Sequence, residues 1–258
     1  MSEIAVHAAT LENLTTVRHA FFTRNGGISS GIYESNNCAS SSYDDPSHIS
    51  KNRAACIEYL GMKALVGVNQ QHTTNVVEVE DPWDYSDTPV ADAMVTRQHG
   101  IALGILTADC APVLIADGEA GVIAAAHAGW RGAHDGILEN TVDAMIHLGA
   151  NPTRTIAVIG PCIAQVSYEV GPEFATRFKE TDTNFTRYFI KLKDGDRAHF
   201  DLAAFTADKL KSCGIKYVSA QGDDTCANEH KYFSYRRSIL RRESDYGRQL
   251  SAIGLLAL

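Results

Sequence analysis

The stretch from Ile101 to Gly132 constrains the fold of this chain more than any other. It reads Ile-Ala-Leu-Gly-Ile-Leu, then Thr-Ala-Asp-Cys-Ala-Pro, then Val-Leu-Ile-Ala, a Gly-bounded turn, and finally Val-Ile-Ala-Ala-Ala-His-Ala-Gly-Trp-Arg-Gly. Short continuous apolar runs punctuated by Gly and Pro read as strands buried on both faces. Cys110 closes the first run and His127 closes the third. Two reactive side chains thus fall at strand ends, where a rigid scaffold can aim both into one cleft.

The rest of the chain bounds what surrounds that stretch. With 258 residues, 45% of them hydrophobic, there is enough apolar material for a continuous core, and residues 1–258 are expected to form one globular unit. The first residues lack the basic and apolar regions of a signal peptide, and no run approaches the ~18 apolar residues of a membrane span, so the expected compartment is the cytoplasm. Six cysteines are too sparse for a disulfide scaffold, which leaves them as thiols or metal ligands. A net charge of -8 excludes a general nucleic-acid or membrane-surface role, since either needs a basic face. An anionic ligand must then be held locally, by Arg53, by Arg131, or by the Arg236, Arg237, Arg241 and Arg242 cluster, which reads equally well as a solvated face.

Taken in order, Arg18 to Asp45 is a strand opening into a long loop rich in Gly, Ser and Asn, a length that suggests a functional segment. Asp45-Pro46-Ser47 starts a helix that Gly61 ends, with Ile49, Arg53, Ile57 and Leu60 at helical spacing. Strands are expected over 64–68, 75–79 and 92–96, with His72 in the polar connection between the first two. A helix follows from Ile137 to Leu148, stopped by Gly149, Asn151 and Pro152, and a strand over 155–159. Pro172 suits the first turn of a further helix. Lys193-Asp194-Gly195-Asp196 is a hairpin signal between 188–192 and 198–200. Asp201 caps another helix that ends at Gly214, before a strand over 215–219. Strand pairs lie between helices without strict alternation, so the fold class is α/β of the α+β kind, a single domain with mixed β-sheets packed between layers of helices.

The motifs in this order resemble the bacterial laccase-domain family, also described as multicopper polyphenol oxidase-like, purine nucleoside phosphorylase or peptidoglycan-editing factor proteins. The resemblance spans nearly the whole chain. It is carried by Phe22-Thr-Arg-Asn-Gly-Gly-Ile-Ser-Ser-Gly, Asn52-Arg53, Gln71-His72, Thr107-Ala-Asp-Cys110, His127-Ala-Gly-Trp-Arg-Gly132, Gly160-Pro-Cys-Ile163 and Phe233-Ser-Tyr-Arg-Arg237. It implies a zinc ion held by His72, Cys110 and His127, with copper an alternative at the same ligands. One departure is Cys162, where many relatives carry a small residue without sulfur. Another is the insertion-like Ser238 to Asp245 segment.

The residues themselves are compatible with that implication. One thiolate and two imidazoles suit Zn²⁺, and three protein ligands leave a fourth position for water or substrate, the pattern of a catalytic zinc. A multicopper centre needs many imidazoles, whereas the chain has ten histidines and no His-x-His pair. The activity expected from the resemblance is zinc-dependent phosphorolysis of purine nucleosides to ribose 1-phosphate and free base, with adenosine deamination beside it. Partners would be small molecules, nucleoside and phosphate, and the assembly a monomer or small homo-oligomer. Arg53 and Arg131 are expected to handle the phosphate near the metal, supported by Asn52 and Gln71. Trp130, Phe22 or Tyr168 are candidates to stack on the base. Three alternatives stay open. One is a cysteine hydrolase, with Cys110 as nucleophile, His127 as base and Asp109 or another acid orienting it, acting in peptidoglycan-precursor editing. Another is copper-dependent polyphenol oxidation. The third is a binding or editing-partner protein whose pocket serves recognition only.

Overall fold

The computed structural model describes residues 3–83, 87–192 and 197–257. In chain order the elements are β1 (Ala5–Val6), α1 (Ala9–Glu12), β2 (Val17–Phe22), α2 (Pro46–Leu60), β3 (Ala64–Val66), β4 (Val76–Glu78), β5 (Ala93–Thr96), β6 (Ile101–Thr107), β7 (Ala111–Asp117) and β8 (Val122–Ala128). There follow α3 (Trp130–Asp135), α4 (Ile137–His147), β9 (Ile156–Ile159), β10 (Glu169–Val170), α5 (Pro172–Thr181), β11 (Phe189–Lys191), β12 (Ala198–Phe200), α6 (Leu202–Ser212), β13 (Tyr217–Ala220), α7 (Tyr235–Arg241) and β14 (Gln249–Leu255). They form a five-stranded sheet in the order β1-β2-β14-β6-β3, a six-stranded sheet in the order β13-β9-β7-β8-β5-β4, and a small antiparallel sheet β10-β12-β11. Both large sheets mix parallel and antiparallel pairs.

The two large sheets pack face to face, sinking Phe21, Leu103, Ile105 and Ile253 of the first against Met94, Leu114, Ile123 and Val158 of the second. The outer face of the six-stranded sheet is covered by α4, α6 and α5 through Leu138, Val142, Phe205 and Phe178. On the other side, Phe22, Ala102 and Ala252 meet Cys56 and Leu60 of α2. The result is helix, sheet, sheet, helix in four layers, which is the mixed α/β class expected from the strand pairs. Each fully buried Leu, Ile or Phe contributes about 1.5–3 kcal/mol against about 0–1 for an exposed ion pair, so the sheet interface holds the molecule together. Every residue of β7 and β8 is buried, which is why the central runs are continuous and do not alternate. Among the described residues no helix is long and apolar enough to cross a membrane.

Several local expectations are refined. Helix α2 is capped as its sequence indicates, Asp45 accepting from the Ser47 N–H at 2.7 Å and Gly61 taking a left-handed φ of 66°. Its buried stripe is Ile49, Asn52, Cys56 and Leu60, one step round from the apolar spacing, and this leaves Arg53 and Ile57 on the shoulder. Asn52 goes inside because its side chain takes the Ile28 N–H and gives to Ser29, Ser35 and Asn37, fastening the long loop after β2. The Lys193–Asp196 turn lies outside the described residues, but its arms β11 and β12 pair antiparallel. Helices α3 and α7 and strand β14 were not expected, and β14 occupies the middle of its sheet.

Candidate metal centre and its cavity

Cys110 stands in the turn between β6 and β7, His127 near the end of β8, and His72 in the connection before β4. The fold brings all three together. Their candidate ligand atoms lie within 4.8 Å of one another, and Cys110 Sγ is 3.7 Å from His72 Nε2. Zn–S and Zn–N bonds of about 2.3 and 2.0 Å at a tetrahedral angle put sulfur and nitrogen roughly 3.5 Å apart, so the Cys110–His72 spacing fits a shared ion. Gly129 permits the approach: a Cβ there would fall 2.5 Å from His72 Cδ2 and 3.1 Å from Cys110 Sγ.

One buried carboxylate organises both imidazoles. Asp92, fully buried just ahead of β5, accepts the Nδ1 edge of His127 at 2.7 Å. It also accepts the backbone N–H groups of Gln71, His72 and Thr73 at 3.1, 3.0 and 2.6 Å. These three consecutive donors hold His72 at φ 59°, a left-handed conformation that a residue with a Cβ adopts only when its surroundings impose it. With Nδ1 engaged, His127 presents Nε2 to the centre, the usual second-shell arrangement of a metal-ligating histidine. Burial works against ionising Asp92, yet the bond to and charge of His127, with the Thr73 N–H, hold its pKa at about 2. For Cys110, burial favours the thiol, but the charges and hydrogen bonds of His127 and His72 win and bring it down to about 6. His127 moves the other way, to about 9, as Cys110 and Asp92 outweigh the burial that favours its neutral form. Without a metal, the site is a thiolate–imidazolium pair on a buried carboxylate.

Asp109, the acid expected to orient His127, does something else. Its carboxylate accepts from Thr225 Oγ1 at 2.6 Å, Ser234 Oγ at 2.9 Å and the Arg236 N–H at 2.6 Å, tying the turn before Cys110 to the start of α7. It too is left-handed, at φ 86°, and burial raises its pKa despite those donors. Cys162 is buried, is not a member of the ligand group, and has its thiol pushed up by burial and then by Asp201 and Asp109.

A cavity of about 950 Å³ opens over the three ligands and is also lined by Arg53, Gln70, Trp83, Thr107, Tyr235, Tyr246 and Arg248. That volume suits a small-molecule ligand. Arg53, on the shoulder of α2, reaches the cavity. Arg131 is not among the lining residues, against expectation: the chain enters α3 at Trp130, which turns Arg131 to solvent with its guanidinium 5.3 Å from the Trp130 ring centre. The supporting amide at the cavity is Gln70, whose side chain pairs with the Leu106 backbone at 2.7 and 2.9 Å, whereas Gln71 contributes only its N–H to Asp92. Phe22 is core, and Trp130 and Tyr168 pack against Phe174; the rings facing the cavity are Trp83, Tyr235 and Tyr246. The C-terminal arginines act as staples, Arg237 binding the Thr225 and Cys226 carbonyls, Arg236 the Glu169 carbonyl, and Arg241 the Glu229 carboxylate.

A His–Cys–His candidate metal centre under a small-molecule cavity between mixed sheets defines the class. The chain belongs to the multi-copper polyphenol oxidoreductase laccase family, whose model matches residues 18–256. It is 39% identical over 243 residues to a purine nucleoside phosphorylase of Deinococcus radiodurans, covering 93% of this chain and 89% of that one. A purine nucleoside phosphorylase of Corynebacterium glutamicum is 35% identical, with 93% and 94% covered. Among solved structures, a Neisseria meningitidis protein superposes with a TM-score of 0.86 at 32% identity over 99% of this chain and 100% of its own. The YlmD protein of Geobacillus stearothermophilus, at 23% identity and TM-score 0.87 over 99% and 100%, has the same fold.

Proposed function

We propose that this protein is a zinc-dependent purine nucleoside phosphorylase that converts adenosine, inosine and related nucleosides to ribose 1-phosphate and free base. The observation that carries the reading is the convergence of His72, Cys110 and His127 beneath a cavity that also presents Arg53 and three aromatic rings. The relatives' names supply the nucleoside. Among the described residues this trio is the one group of three or more such side chains able to hold an ion. That favours a single zinc over a multicopper centre. Bound there, Zn²⁺ would supply Lewis acidity and an open fourth position.

The chain's own residues do the rest. Arg53 holds hydrogenphosphate so that one oxygen faces the anomeric carbon, which saves the entropy of bringing two reactants together. A C–O bond forms as the glycosidic C–N bond breaks. The base leaves with the bonding pair and takes up the proton that hydrogenphosphate loses. Trp83, Tyr235 and Tyr246 offer faces on which the base can lie. Adenosine deamination is a second reaction within the same proposal: water adds its oxygen to the purine carbon as the C–N bond to the amino group breaks, and ammonia leaves.

Incubating protein purified without added metal with inosine and adenosine, with and without phosphate, tests the reading. Hypoxanthine formed only with phosphate, one zinc per chain, and loss of both in Cys110→Ser are the expected results. Inosine formed from adenosine without phosphate supports the deaminase arm. No nucleoside product in a zinc-loaded protein would overturn the proposal. One observation favours a second reading, cysteine hydrolysis: the Cys110 thiolate, His127 and Asp92 line up as nucleophile, base and orienting acid. A thiolate bound to metal is a poor nucleophile, so turnover by metal-free protein that zinc abolishes would establish it.

A further inference from the structure

Buried polar atoms in folded proteins nearly always have partners, and each one left without costs about 1–3 kcal/mol, more if charged. Among the described residues four such side-chain atoms have none: Thr107 Oγ1, Glu139 Oε2, Thr206 Oγ1 and Arg248 Nη1. Thr107 and Arg248 both line the cavity above the candidate metal centre. Both also lie at one end of the β6–β14 ladder, where Thr107 pairs with Gln249, the neighbour of Arg248.

The backbone of Arg248 is held by hydrogen bonds and its side chain by a ring. Its N–H donates to Asn37 Oδ1 at 3.0 Å, and its carbonyl accepts the Cys38 N–H at 3.1 Å. The guanidinium lies 4.2 Å from the Tyr246 ring centre, so one face is covered and its hydrogen bonds must be made in the guanidinium plane. Arg53 reaches the same loop from the opposite element, giving an Nη1 bond to the Cys38 carbonyl at 3.3 Å. The Arg53 guanidinium and the Arg248 backbone are thus both tethered to the Asn37–Cys38 segment, and both side chains line the cavity. The chain has 31 acidic residues, yet no Asp or Glu appears among the described residues of the cavity lining.

We propose that Arg248 and Thr107, together with Arg53, form an oxyanion subsite in this cavity and that its ligand is inorganic phosphate. The subsite stands on the two unpartnered donors and the acid-free lining, and rests on the phosphorylase reading only for the identity of the anion. Bidentate, planar donation from arginine is the geometry that oxyanions select. A threonine hydroxyl beside it adds a neutral donor without adding charge.

Calorimetric titration of the purified protein with inorganic phosphate tests this, with Arg248→Met, Thr107→Val and the surface variant Arg197→Ala in parallel. Loss of a charged donor should weaken phosphate binding by about tenfold to a hundredfold in Arg248→Met, and loss of a neutral donor severalfold in Thr107→Val. Arg197→Ala should titrate as the parent does. Thr107→Val removes a hydroxyl that has no partner in the protein and keeps the side-chain shape, so it reports on the subsite even if Arg248→Met does not fold. Unchanged phosphate affinity in folded Arg248→Met and in Thr107→Val would overturn the subsite. A second titration with inosine 5′-monophosphate distinguishes an esterified phosphate; binding of the ester without binding of inorganic phosphate overturns the stated ligand. Kinetics separate the two claims. Arg248-dependent phosphate binding without inosine cleavage by the parent keeps the subsite and removes the phosphorylase, whereas cleavage with an unchanged phosphate KM in both variants does the reverse.

Discussion

At the scale of single residues, Asp92 joins the two histidines of the centre more firmly than the histidines touch each other. Changing it to Asn keeps the volume but replaces one acceptor oxygen by a donor that faces N–H groups. Asp92→Asn should therefore lower zinc affinity by about 10- to 100-fold, as measured by competition with a chromophoric chelator. Zinc affinity unaltered by the change would remove Asp92 from the centre. The paired shifts of Cys110 and His127 give a pH prediction. Between about 6 and about 9 the metal-free pair of Cys110 and His127 is a thiolate and an imidazolium, and the His127 proton must leave for its nitrogen to ligate. Zinc affinity should rise about tenfold per pH unit across that window, with about one proton released per ion. Below about 6 the Cys110 thiol is protonated as well, and the slope should steepen toward two. Titrations in buffers of different ionisation enthalpy read the proton count directly, and a slope near zero at pH 7–8 would sink the assignment. Cys110 and His127 were legible because reactive groups closed buried apolar runs. His72 was legible only through its motif. Asp92 was not, since its partners lie 20 and 35 residues away, although an acid opening an apolar strand is itself a sign that a partner must exist.

At the scale of elements, what was readable had its own punctuation. Helices α2 and α6 announce themselves with Asp45 and Asp201 at one end and Gly61 and Gly214 at the other. Helix α3 has six residues, an uncapped Gly129 before it and Gly136 after it, too little periodicity to register. Strand β14 is Gln-Leu-Ser-Ala-Ile-Gly-Leu, whose small residues weaken any pattern while fitting the close contacts of a central strand. Arg248 escaped notice for that reason, standing just ahead of an unread strand. The turn between β6 and β7 depends on Asp109, whose left-handed backbone suits Asn far better than Ala. Stability in urea should fall in the order wild type, Asp109→Asn, Asp109→Ala, with the alanine change costing about 2–4 kcal/mol from strain and lost acceptors together. Equal stability of the two variants would mean that the turn does not depend on this conformation.

At the scale of the whole molecule, the two large sheets meet so closely that a single methyl can be felt. A Cβ on Gly160, just beyond β9, would lie 2.3 Å from Phe21 Cδ1 and Cε1 and 2.9 Å from Pro112 Cγ. Phe21 belongs to the opposite sheet, so the strain cannot be relieved within one layer. Gly160→Ala should destabilise by about 1–3 kcal/mol or more, lowering the thermal midpoint by several degrees at about 2–4 °C per kcal/mol for a chain of this size. An unchanged midpoint would show that the layers slide to make room.

The position of β14 also sets an order of events during synthesis. Among the described strands it is the last in chain order, yet it lies between β2 and β6, bonding one on each edge. While a ribosome is still extending the chain, those two strands have no third strand to join them, and their hydrogen-bonding edges face whatever is nearby. The five-stranded sheet, and with it the cavity wall that Arg248 supplies, can close only after translation has passed Leu255. For that interval its safety from aggregation depends on how quickly one late segment finds a slot prepared by two early ones.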